Sequence, residues 1–130
     1  MFVDQGLKEI GFKAPSTPLP SLTAGRGLFD VLLGAVLVMV VAFSEETIFC
    51  GYLMLRFRYL TSSPAAAVVL STIVFTMGHG YEGTLGLSSV AVMGFIFALI
   101  YLWRKSLVTT MVMHFIQDFL VIVLLPLVRR

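Results

Sequence analysis

Five side chains of this 130-residue sequence are at odds with their surroundings: Glu45, Glu46, His79, His114 and Asp118. Each lies within or at the end of an apolar run, the two glutamates inside the stretch SEETIFCG at 44–51. An ionisable group inside a membrane span costs roughly 2.5–3.5 kcal/mol on insertion scales. A single one is ordinarily a snorkelling side chain or a satisfied helix contact. Five together accumulate a cost that packing alone gives no reason to carry, so they are read as a functional set.

Their spacing suggests what the set could do. His114 and Asp118 are four residues apart and share a helix face. A carboxylate in that position can orient an imidazole or join it at a metal. Phe75 and His79 have the same spacing, as do Glu46 and Cys50. Glu45 points about 100° away from Glu46 around a helix, so the two need not do the same job. At ~1.5 Å per residue, Glu45 lies ~16 Å from Arg56 and Asp118 ~16 Å from Leu107, which are comparable depths. His79 falls further away, near the far end of a short helix. Glutamate can act as general base towards water. Histidine can hold that water, bind a metal that acidifies it, or stabilise an oxyanion. This is equipment for hydrolysing an amide or ester, and it would equally serve a proton or cation relay. Neither an H-E-x-x-H zinc motif nor a G-x-S-x-G serine elbow is present.

The elements that must position these groups follow from composition. The chain is 58% hydrophobic and 12% charged, with a mean hydropathy of +0.99. Soluble domains are typically about 45–50% apolar and 25% charged. That leaves too little polar surface to face water and points to an integral membrane protein, placed in the cell membrane. Four continuous apolar segments, about 28–55, 64–79, 85–103 and 107–128, predict an all-α, multi-pass membrane helical bundle of about four transmembrane helices. The second is short for a span. Residues 1–27, with Pro15, Pro18 and Pro20, read as a short polar, amphipathic N-terminal segment and linker, and 28–130 as the transmembrane domain. The net charge of +2, with its cations at segment ends, gives no basis for a nucleic-acid partner. One cysteine excludes an internal disulfide. The start of the chain lacks the basic and apolar pattern of a signal peptide. Lys8, Lys13, Arg26, Arg129 and Arg130 fall on one side and Arg56, Arg58, Arg104 and Lys105 on the other, a balance that leaves orientation open.

Three clusters in this order resemble the CPBP/Abi intramembrane proteases, the type II CAAX prenyl endopeptidase-like family. Its E-E-x-x-x-R motif is matched by Glu45 to Cys50 except at the last position, F-x-x-x-H by Phe75 to His79, and H-x-x-x-N/D by His114 to Asp118. The resemblance implies a membrane-embedded helical bundle with its active site at the end of a polar cavity. Glu45 would activate water, and His79, His114 and Asp118 would hold that water or a metal and stabilise the oxyanion. Glu46 would be a supporting carboxylate. Implied cofactors are Zn or another divalent metal, held by Glu45, His79, His114 and Asp118. Implied partners are the lipid bilayer and a peptide substrate, either a prenylated C-terminus or a bacteriocin or leader-type peptide. Further helices would precede the first motif, and GLKEIGFKAP resembles the loop that follows them. Where the motif has arginine, this chain has Cys50, read as a small buried hydrophobe. Two other readings stand beside the protease: a catalytically weakened family member acting as membrane scaffold or immunity protein, and a proton or metal-ion transporter, which would need the chain to oligomerise.

Overall fold

The computed structural model describes Glu9, Gly11, Lys13 and residues 27–128. The N-terminal segment read from the sequence therefore lies, but for Glu9, Gly11, Lys13 and Gly27, outside the described residues. Among the described residues the chain is helical and contains no strand.

The first helix, α1, runs from Leu28 to Thr61. At its start the Gly27 N–H donates to Asp30 Oδ2 at 3.1 Å. It is α-helical over Leu28–Glu46, π-helical over Thr47–Leu53 and α-helical again over Met54–Thr61. It continues past Arg56 and Arg58, where the sequence pattern had closed the first segment. The Arg56 guanidinium lies over the Tyr52 ring at 5.2 Å. Long basic side chains of this kind reach out from a helix without ending it. The helix ends at Ser62, which takes the left-handed conformation with φ 55°.

Helix α2 (Pro64–Gly78) opens as the sequence expects. Ser63 Oγ accepts from the Ala66 N–H at 3.2 Å and Pro64 occupies the first helical position. Its 15 residues make ~22 Å. A 3₁₀ turn, Gly80–Glu82, leads into α3 (Gly83–Arg104). The last helix, α4 (Leu107–Val128), is α-helical to Asp118, π-helical over Phe119–Leu124 and α-helical over Leu125–Val128. By length and composition α1, α3 with its preceding turn, and α4 can cross a membrane; α2 is shorter. Large apolar side chains cover the outside, among them Leu32, Val36, Phe43, Ile73, Val92 and Leu120. That surface suits lipid rather than water.

The inward face of α1 explains how a glutamate reaches the interior. Gly34, Val38, Ala42 and Glu46 recur every four residues and are buried. Small residues on that stripe let α4 pack closely against α1. Glu46 is the last member of the stripe, so it enters the same interface. Further along, Met54, Ala67, Val68 and Ala98 form a buried cluster joining the end of α1 to α2 and α3.

At Gly94, α3 comes close to Phe75 of α2. A Cβ added there would lie 2.7 Å from Phe75 Cδ1. Gly94→Ala is expected to push Phe75 out of place and to destabilise the bundle by about 1–3 kcal/mol, the usual cost of overpacking. Thermal unfolding in detergent measures this. An unchanged midpoint would show that Phe75 moves freely.

Candidate active site

All five sequence-predicted residues converge on one place. Glu45 and Glu46 stand where α1 changes from α to π winding. Their environments differ: the Glu46 side chain is 4% exposed and that of Glu45 25%. His114 is the hub. Its Nδ1 lies 3.0 Å from Glu46 Oε1, and towards an ionised carboxylate, which only accepts, it donates. Its Nε2 stands 3.4 Å from Asp118 Oδ2 and 3.7 Å from Glu45 Oε2. Because Nδ1–H is committed to Glu46, Nε2 is the atom left to exchange a proton with its surroundings.

His79 is the residue that ends α2, with φ −102° and ψ 20°. Its Nδ1 lies 3.0 Å from the Phe75 carbonyl oxygen. A carbonyl only accepts, so Nδ1 carries the hydrogen and Nε2 faces the site. That Nε2 is 3.8 Å from Glu45 Oε1. Depth counted from Arg56 had left His79 too far from the other groups. The shortfall disappears because α1 runs on to Thr61. Measured from the α1–α2 turn, Glu45 is ~24 Å deep and His79 ~22 Å.

The two helices that carry carboxylates share an unusual feature. π winding begins directly after Glu46 in α1 and directly after Asp118 in α4. Such segments are rare and occur frequently at functional sites. In α1 the Phe49 carbonyl accepts both the Met54 N–H, five residues on, and the Ser71 hydroxyl of α2 at 2.7 Å. Ser71 thus ties α2 to the wide turn that follows the glutamates.

Aromatic rings form the walls. Phe75 meets Phe49 edge-on at 4.8 Å between centroids, His79 at 4.7 Å and His114 at 6.4 Å. Phe97 of α3 lies 5.4 Å from His114, and Tyr81 stacks on His79 at 6.0 Å. Only Phe75 among these stood out in the sequence. Phe49, Phe97 and Ser71 sit in apolar runs where nothing distinguishes an inward position from a lipid-facing one, and Tyr81 lies in the turn between two of those runs.

Cys50 is buried, as expected of a small hydrophobe. It lines a cavity of about 10 Å³ together with Glu46, Ser71, Thr72 and Phe75. Glu46 Oε2 and Thr72 Oγ1 are buried and have no hydrogen-bond partner among the described residues. Cys50 therefore places no positive charge beside the buried carboxylate.

Glu45 faces two imidazole nitrogens at 3.7 and 3.8 Å. These separations exceed a direct hydrogen bond and suit groups that grip a small polar molecule between them. Donor atoms around tetrahedral zinc stand ~3.3 Å apart, from bond lengths of ~2.0–2.1 Å. The groups here are somewhat wider, and no cluster of three or more His, Cys, Asp or Glu among the described residues is set to hold a metal ion.

Residues 27–120 match the family described as Type II CAAX prenyl endopeptidase Rce1-like. No curated protein and no solved structure matches the chain.

Proposed function

Since the chain belongs to the Type II CAAX prenyl endopeptidase Rce1-like family, we propose that it is an intramembrane endopeptidase working through a glutamate-activated water. The observation that carries this reading is the meeting of Glu45 with the Nε2 atoms of His79 and His114 at 3.7–3.8 Å. Glu45 takes a proton from a water held against His79 Nε2, and the resulting hydroxide attacks the peptide carbonyl. The Nε2–H of His114 hydrogen-bonds to the developing oxyanion and keeps its proton, so that the oxyanion can re-form the carbonyl as the C–N bond breaks. Glu45 then passes its proton to the leaving amine nitrogen, giving a free carboxyl and a free amine. Glu46, through the 3.0 Å bond to Nδ1, and Asp118, 3.4 Å from Nε2, fix the ring of His114 and act as positioning residues.

A divalent ion at Glu45, His79, His114 and Asp118 is part of the same proposal, and holding it would require these groups to close in from their present 3.4–3.8 Å. When bound it would supply an acidified water. Elemental analysis of the purified protein tests it. The proposed substrate is a membrane-associated peptide, with a prenylated C-terminus as the first candidate and a leader-type peptide as the second. The cell membrane is the proposed location.

A second reading, the catalytically weakened scaffold or immunity protein, is favoured by one observation: Glu46 Oε2 lies without a partner beside Cys50. Cleavage of a prenylated reporter and of a leader peptide by the detergent-purified chain and by Cys50→Arg separates the two. Turnover by the parent supports the protease. Turnover by Cys50→Arg alone supports the weakened member. Inactivity of both on both substrates removes the protease reading.

A further inference from the structure

The opposite end of the helices carries charge that the site does not use. Arg56 and Arg58 sit near the end of α1, and Arg104 and Lys105 at the end of α3. Residues 47–81 and 83–117 contain no Asp or Glu, so no carboxylate from these stretches answers the four cations. Two have aromatic neighbours, with the Arg56 guanidinium 5.2 Å from the Tyr52 ring centre and that of Arg104 5.5 Å from Trp103. The other two, Arg58 and Lys105, line one recess of about 220 Å³ with Met54, Leu55, Tyr101 and Leu102. Neither has an ion-pair partner among the described residues.

The backbone fixes this arrangement. Lys105 holds the left-handed conformation, φ 50° and ψ 37°, and its N–H donates to the Tyr101 carbonyl at 2.7 Å. Met54 belongs to the buried cluster below, and Tyr101 and Leu102 pack against that cluster. The recess therefore has an apolar floor on a rigid support and two cations at its edge. It lies at the helix ends, where a bilayer's headgroups meet its hydrocarbon. Thirteen residues separate Arg58 from Glu45, roughly 20 Å along α1.

We propose that this recess binds an anionic phospholipid from the adjoining leaflet, with the phosphate between Arg58 and Lys105 and an acyl chain along Leu55 and Leu102. Charge complementarity selects the occupant: two unpaired cations over an apolar floor match a phosphodiester joined to a hydrocarbon tail. A zwitterionic lipid brings a compensating positive group, and free phosphate leaves the apolar floor unused. The proposal does not depend on the protease reading.

Native mass spectrometry of the detergent-purified full chain tests it, using phosphatidylglycerol, phosphatidylcholine and inorganic phosphate as separate probes. Phosphatidylglycerol is expected to remain bound and the other two to be lost. The Arg58→Gln/Lys105→Gln pair is expected to weaken phosphatidylglycerol binding roughly 30-fold, from about 1 kcal/mol per cation. Arg56→Gln/Arg104→Gln is expected to retain it, with unfolding midpoints in neutral detergent checking that both pairs fold. Equal retention of phosphatidylcholine would overturn the proposal, as would equal loss in the two double variants, which would indicate diffuse charge. Displacement of the lipid by a peptide carboxylate would assign the recess to a peptide instead.

Discussion

Glu45→Gln is expected to lower turnover of a cleaved peptide by about 10²–10⁴-fold, the range for loss of a general base. The fold should not notice. Glutamine keeps the shape of the side chain, Glu45 is the more exposed of the two glutamates, and its imidazole neighbours stand 3.7–3.8 Å away. The unfolding midpoint should therefore stay within the range of a surface change, about ±0.5 kcal/mol. Steady-state kinetics and thermal unfolding on the same preparation read both quantities. Turnover that survives Glu45→Gln would end the proposed mechanism, whatever the stability. A fall in turnover that merely follows a fall in midpoint would make Glu45 a structural residue.

His114→Ala is expected to abolish turnover and to cost stability as well. The 3.0 Å bond from Nδ1 to Glu46 Oε1 is buried on both sides, and the other oxygen, Oε2, already has no partner among the described residues. Removing the imidazole leaves a buried carboxyl with neither oxygen bonded. Breaking a buried pair from one side costs about 3–5 kcal/mol. His114→Asn separates the two effects. Its amide can stand near the position of Nδ1 and donate to Glu46, but nothing replaces Nε2. Stability should largely return while turnover does not. If asparagine restored turnover too, Nε2 would have no part in the reaction.

Much of this arrangement was legible in the sequence because its signals are strong. The apolar runs of α3 and α4 end at charged pairs, so the segments read from them differ from the helices by at most two residues. Ser63 and Pro64 announced the start of α2 through their own backbone chemistry. Ionisable groups in apolar surroundings drew attention to all five residues that meet in the structure. The rest was hidden for physical reasons. A helix apolar on every side gives no period to show which face is inward, so Phe97 and Ser71 looked like their lipid-facing neighbours. The π segments carry no residue preference that marks them, and TIFCGYL reads as ordinary helix. The end of α1 was misplaced because Arg56 and Arg58 look like a terminus, whereas their long side chains allow the helix to continue to Thr61.

The shortness of α2 has a consequence for where such a protein can work. Its ~22 Å falls short of a hydrocarbon layer of ~30 Å, and His79 sits at the end that falls short. Lipid beside α2 must thin or admit headgroups and water to meet it. Acyl-chain length is thereby expected to govern how readily water reaches His79, with thinner bilayers favouring it. In a membrane of uneven composition, the length of one helix writes a preference for particular neighbourhoods into the chain.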